Sequence, residues 1–140
     1  MQKLSSVLLV DDDPTTNYLN RKLLERLAVT EAIEVAQDGQ QALNLLLERC
    51  RQAVPVARPA LLLLDVKMPV MDGFEFLAAY EQLPLDCQQS VVIVVLTTSL
   101  HPQDVQRMER LPIAGFLSKP LTQEKISQVL QEHFPAPAAN

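Results

Sequence analysis

The sequence predicts an α/β fold, a doubly wound parallel sheet with helices on both faces, and three observations carry that prediction. Two short runs, Ala60 to Leu64 and Val91 to Leu96, are apolar at every position, the mark of strands covered on both sides. Strand-like runs alternate with segments of helical apolar spacing instead of clustering by type. Five such βα units use nearly all of the 140 residues at ordinary element and connection lengths.

The elements follow in order. Ser6 to Val10 is a β-branched and leucine run that stops at Asp11-Asp12-Asp13-Pro14, where Pro opens a helix without losing a needed N–H. That helix, about Pro14 to Ala28, is expected to bury Leu19, Leu23 and Leu27, with Tyr18 and Leu24 widening the stripe. Ala32 to Ala36 is a modest second strand, and Asp38-Gly39 turns it into a helix with Ala42, Leu43, Leu46, Leu47 and Cys50 at helical spacing. The stretch Arg51 to Pro59 reads as the longest loop. Ala60 to Leu64 is the central strand, Asp65 ends it, and a Pro- and Met-containing loop leads to a third helix over Phe74 to Leu83. Val91 to Leu96 ends in Thr97-Thr98-Ser99, and Pro102 starts a fourth helix carrying Val105, Met108 and Leu111. A short fifth strand at Gly115-Phe116-Leu117 closes on Ser118-Lys119-Pro120, and Thr122 caps a last helix with Ile126, Val129 and Leu130 inside.

Composition excludes several functions. Twelve basic against 17 acidic residues give a net charge of −5 without a Lys/Arg cluster, which leaves little electrostatic reason to hold nucleic acid. No apolar run approaches the ~20 residues of a membrane span, and Met1 to Ser6 lacks the features of a signal peptide, so a cytoplasmic location is expected. Cys50 and Cys87 lack CxxC spacing and read as two reduced thiols. His101 and His133 read as surface or capping residues, and Met68, Met71 and Met108 as gap fillers.

In an open parallel sheet, ligands bind outside the carboxyl ends of the strands. The residues there are Asp11, Asp12 and Asp13, Asp65, Thr97 and Thr98, and Lys119. Carboxylates at neighbouring strand ends repel unless a cation lies between them, and Mg²⁺ takes carboxylates, waters and a phosphate oxygen. With a hydroxyl and a lysine beside it, such a pocket suits phosphoryl transfer, one carboxylate serving as nucleophile. Asp13 before Pro14 and Asp72 before Gly73 read instead as helix caps.

At these residues the sequence resembles the receiver domain of two-component response regulators, the chemotaxis-protein-like fold. The resemblance rests on Leu8 to Asp13, on Leu64-Asp65-Val66-Lys67-Met68-Pro69-Val70-Met71-Asp72-Gly73, on Leu96-Thr97-Thr98 and on Phe116-Leu117-Ser118-Lys119-Pro120. It implies a five-stranded sheet of order 2-1-3-4-5 with five helices, a receiver domain over 5–133 and a flexible tail over 134–140. It also implies a stand-alone regulator that accepts a phosphoryl group on Asp65 from the phosphohistidine of a kinase or phosphotransfer protein. Asp11, Asp12, Asp65 and the backbone carbonyl of Lys67 would hold Mg²⁺. Thr97 and Lys119 would contact the phosphoryl group, and Thr97 with Phe116 would form the switch. A cis Lys119-Pro120 bond is expected. The first helix would dock the kinase, and the fourth helix, fifth strand and fifth helix would change partners. No length remains for an output domain, so action by binding or by onward transfer is expected.

Lys67 and Ser99 depart from the commoner residues of the family, and the Lys67 ammonium is expected to alter phosphoryl lifetime. Thr98, bulkier than the usual residue after the switch Thr, is expected to narrow access for the phosphodonor. Two other classes stay in view. A small haloacid-dehalogenase-like phosphatase would fit Asp11-Asp12-Asp13-Pro14-Thr15, but Lys67 stands where a general acid is needed after Asp65, no acidic pair follows Lys119 and no cap domain fits. A metal-independent pseudo-receiver would not need the intact set of Asp11, Asp12, Asp65, Thr97 and Lys119.

Overall fold

The computed structural model describes residues 4–51, 60–88, 91–98 and 101–135. Five strands, β1 (Val7–Val10), β2 (Ile33–Ala36), β3 (Leu61–Asp65), β4 (Val92–Thr97) and β5 (Gly115–Ser118), form one parallel sheet in the order β2-β1-β3-β4-β5. The helices are α1 (Pro14–Arg26), α2 (Gly39–Arg51), α3 (Gly73–Glu81), α4 (Leu85–Gln88), α5 (Pro102–Glu109) and α6 (Gln123–His133). The one-turn α4 adds to the five helices expected from the sequence: three residues, Gln82 to Pro84, separate it from α3, too little apolar periodicity to announce it. The long loop expected from Arg51 to Pro59 lies, beyond residue 51, outside the described residues, as does most of the tail.

The sheet divides two apolar layers. Alternate side chains of β1 and β3 point to opposite faces: Val7, Leu9, Leu61 and Leu63 pack with Leu24 of α1 and Ile126, Val129 and Leu130 of α6. Leu8, Val10, Leu62 and Leu64 pack with Leu46 of α2, Phe76, Leu77 and Tyr80 of α3 and Met108 of α5. This is why the β3 run is apolar throughout.

Two expectations are corrected here. The buried face of α1 is Asn17, Asn20 and Leu24, whereas Tyr18 and Leu19 are each 59% exposed. The Asp13 cap sets the rotation of the helix, and the Asn17 amide donates to the Asp11 carbonyl at 2.8 Å, which turns the leucine at 19 outward. Cys50 and Cys87 are joined in a disulfide, with Cα atoms 5.4 Å apart, where two thiols were expected. α2 and α4 meet on one face of the sheet, a proximity that 37 residues of separation conceal.

The loop after β3 is shaped by close approaches. Gly73 donates its N–H to the Val66 carbonyl at 2.8 Å, and a Cβ there would lie 2.7 Å from the Asp65 carbonyl oxygen. Val70 has φ 67°, a region that strains β-branched residues, and the Met71 N–H closes a tight turn onto the Pro69 carbonyl at 2.7 Å.

Candidate functional site

The carboxyl ends of β1, β3, β4 and β5 converge. Asp65, the last residue of β3, is 8% exposed, and Asp11, directly after β1, is 4% exposed. One carboxylate oxygen from each of Asp11, Asp12 and Asp65 lies within 4.8 Å of the others, while Asp12 itself faces solvent. Lys119 reaches this cluster from beyond β5, its Nζ 2.8 Å from Asp11 Oδ2 and 3.2 Å from Asp65 Oδ1. Thr97 closes β4, buried, and its carbonyl accepts the Lys119 N–H at 2.8 Å, so the hydroxyl-bearing and ammonium-bearing residues are tied together. The Lys119-Pro120 bond is cis, as expected.

The charges perturb one another. Burial raises the Asp65 pKa above the ordinary 3.8, the Asp11 charge raises it further, and Lys119 only partly opposes this. Burial pulls Lys119 down, but its hydrogen bond to Asp11 and the charges of Asp65 and Asp11 outweigh that, and the net shift is upward from 10.5. A carboxylate destabilised by a second carboxylate is one that gains from a cation placed between them.

Asp11 is fixed on every side. Its Oδ1 accepts the Asp13 N–H at 2.9 Å, its N–H donates to the Ala36 carbonyl at 3.1 Å, and its carbonyl is held by Asn17. Asn17 Oδ1, buried, has no partner among the described residues. The helix caps read from the sequence are present. Asp13 accepts from the Thr15 N–H and the Thr16 hydroxyl, Asp72 forms a capping box with Glu75, His101 accepts the Gln103 N–H and Thr122 caps α6. The Asp13 pKa is lowered by the Thr16 and Thr15 hydrogen bonds.

Two polar residues of the site escaped sequence reasoning. Lys125 on α6 donates to the Ser118 carbonyl at 2.7 Å, the Ser118 hydroxyl at 3.1 Å and the Pro120 carbonyl at 2.9 Å, bracing the turn that carries Lys119. Asn17 had a signal, since Asn17 and Asn20 stand at i, i+3 with Leu24 on one stripe, a polar pattern that only a polar neighbour satisfies. Of the remaining candidates, Lys67 is exposed at the rim and Phe116 is half-buried on β5.

Two cavities flank the cluster. One of about 210 Å³ lies between α1 and the β5–α6 turn, lined in part by Thr16, Leu19, Asn20, Lys119 and Pro120. The other, about 250 Å³, is lined in part by Lys67, Phe74, Thr97, Asp104 and Arg107, and the Arg107 guanidinium lies 3.7 Å from the centre of the Phe74 ring.

Residues 7–131 match the family model of the response regulator receiver domain. The chain is 32% identical over 126 residues to the probable methanogenesis regulatory protein FilR2 of Methanothrix harundinacea, covering 90% of this chain and 79% of that one. It is 30% identical over 125 residues to the response regulator Rcp1 of Synechocystis, covering 89% and 83%. A two-component response regulator from Cytophaga hutchinsonii superposes with a TM-score of 0.85 at 26% identity, over 96% of this chain and all of that one.

Proposed function

Because this chain belongs to the response regulator receiver domain family, we propose that it takes a phosphoryl group onto Asp65 from the phosphohistidine of a sensor kinase or histidine phosphotransfer protein. Receiver domains are signalling domains rather than conventional enzymes, and the only reactions assigned to this one are its own phosphorylation and dephosphorylation. The observation that carries the reading is the buried Asp65 carboxylate, 3.2 Å from the Lys119 ammonium and beside Asp11 and Asp12.

The three carboxylates are hard oxygen donors clustered closely enough to share one cation, which fits Mg²⁺. Asp11, Asp12, Asp65 and the Lys67 main-chain carbonyl would hold it, and it would supply neutralising charge at the transferring phosphoryl group. An Asp65 oxygen forms the new O–P bond as the partner's N–P bond breaks, and the electron pair of that bond leaves on the imidazole nitrogen. Lys119 carries a permanent positive charge at the phosphoryl oxygens, since its pKa lies above 10.5. The Thr97 hydroxyl donates to the same oxygens, and Phe116 follows it inward. The acyl phosphate adds about −1.5 to −2 charge to a site already acidic, so its stabilisation comes from the cation, Thr97 and Lys119. The Lys67 ammonium at the rim of the neighbouring cavity governs entry of the hydrolytic water; an unchanged dephosphorylation half-life in Lys67→Asn would overturn that role.

The exposed pair Tyr18 and Leu19 on α1, next to the cavity that Lys119 lines, suits docking of the phosphodonor. The face made by α5, β5 and α6 carries the response to a downstream protein, or the phosphoryl group is passed on. Residues 5–133 act as the receiver unit, in the cytoplasm; among the described residues no helix is long and apolar enough to cross a membrane.

The test is incubation with Mg²⁺ and acetyl phosphate followed by mass spectrometry. A lasting acyl phosphate on the wild type, lost in Asp65→Asn, supports the reading. Continuous release of phosphate abolished by Asp11→Asn would establish a phosphatase, and no adduct would establish a pure interaction module.

A further inference from the structure

The Cys50–Cys87 bond lies away from the acidic cluster, yet it closes a path that leads back to it. We propose that this pair is a thiol–disulfide exchange site that controls how firmly α2 seats the loop after Asp65, and so how readily Asp65 is phosphorylated. The effect on phosphorylation rests on the receiver reading; the exchange and the seating do not.

One end of the bond is anchored. Cys87 is 7% exposed in α4, and Gln88 beside it accepts the Tyr80 hydroxyl on its carbonyl at 2.8 Å and donates Nε2 to the Leu83 carbonyl at 2.7 Å. α4 is therefore part of the α3 unit. The other end is a lever. Cys50 is half-buried, next to last in α2, and the 13-residue helix runs roughly 20 Å to Gly39. There the Gly39 N–H donates to the Met71 carbonyl at 2.9 Å, and the contact is so close that a Cβ on Gly39 would lie 2.7 Å from that oxygen. Met71 follows the strained Val70 turn in the segment that also contains Lys67, whose carbonyl is the proposed fourth metal ligand. With the disulfide closed, α2 is covalently fixed at one end and presses on this loop at the other. With it open, that covalent constraint is gone, while the Arg49–Glu34 ion pair at 2.6 Å still ties the turn before Cys50 to β2.

The chemistry needs a dithiol reductant. Its thiolate attacks Sγ of Cys50, the more exposed sulfur, forming a mixed disulfide as the Cys50–Cys87 bond breaks. The electron pair leaves on the Cys87 sulfur, which takes a proton. The reductant's second thiolate then attacks the mixed disulfide, Cys50 leaves and is protonated, and the reductant departs as its own disulfide. Two electrons and two protons have passed to the protein, and oxidised glutathione reverses the change. In a cytoplasmic chain, disulfides are typically of this transient, sensing kind.

The experiment uses the full chain, reduced in place with a dithiol and reoxidised with oxidised glutathione, with thiols counted by alkylation and mass spectrometry. Reversible appearance of two thiols is expected, with faster hydrogen exchange at the Gly39 amide in the reduced form. Phosphoryl uptake from acetyl phosphate with Mg²⁺ is expected to fall about fivefold on reduction. A Cys50→Ser, Cys87→Ser variant should match the reduced form in either buffer, and the wild type reduced in place decides the matter should that variant not fold. The proposal is overturned if no thiols appear under native reducing conditions, or if the two forms show the same Gly39 exchange and the same uptake. If neither form takes up a phosphoryl group, the receiver reading fails, and Gly39 exchange still decides whether the bond controls the loop.

Discussion

β3 and β5 deliver opposite charges to one pocket from very different settings. Leu61 to Leu64 of β3 are at most 1% exposed and flanked by β1 and β4, whereas every residue of β5 is half-buried and the strand has a neighbour on one side only. Asp65, the proposed acceptor, thus ends a fully buried central strand, whereas Lys119 and Phe116, the proposed switch residue, belong to the edge. A phosphoryl group on Asp65 would therefore meet an acceptor from the central strand and a cation from the edge. The arrangement teaches where a signal can travel, because an edge strand with fewer buried contacts can shift at lower cost than a central one.

The largest way to break this contrast is Leu63→Ala, at a site 1% exposed, which should cost about 4 kcal/mol in denaturant unfolding. A loss under ~1 kcal/mol would show that β3 is not the rigid centre. Lys119→Ala removes the cation supplied from the edge. Phosphoryl uptake should then fall about 100-fold, equivalent to ~2.7 kcal/mol. Mg²⁺ should bind the variant more tightly, since Lys119 no longer occupies Asp11 and Asp65; weaker Mg²⁺ binding by calorimetry would contradict that competition. Phe116→Ala, half-buried on β5, should cost only about 1 to 2 kcal/mol, and a loss equal to that of Leu63→Ala would erase the contrast.

The smallest effect concerns pH. Because the folded-state pKa of Asp65 is raised, the stability linked to this group is complete below about 3.8 and is lost as pH rises through the folded value. Asp65→Asn is neutral at every pH. Without metal, its melting temperature should exceed the wild type's at pH 7 by a few degrees, and the gap should close on acidification toward 3.8. A gap of constant size across that range would rule out the raised carboxyl.

Much of this was legible in the residues, for reasons that can be traced. Leu61 to Leu64 had to be a central strand because no other element hides consecutive apolar side chains on two faces. Asp65, Asp11, Asp12, Thr97 and Lys119 could be grouped because parallel strands place all their carboxyl ends on one side. The α1 face was misjudged because leucine counting ignores rotation, which the Asp13 cap and the Asn17–Asp11 hydrogen bond decide. Lys125 was invisible because its three acceptors exist only once the β5–α6 turn is folded.

By itself, then, the sequence determined the alternation of elements, the order in which they leave the sheet and the chemical identity of the residues at the strand ends, since these depend on period and composition along the chain. The tertiary structure alone decided that Lys119 bridges Asp11 and Asp65, that Asn17 rather than Leu19 faces inward, and that Cys50 meets Cys87 across 37 residues. Periodicity is a local property, whereas the distance between side chains on different elements is set by how whole layers pack.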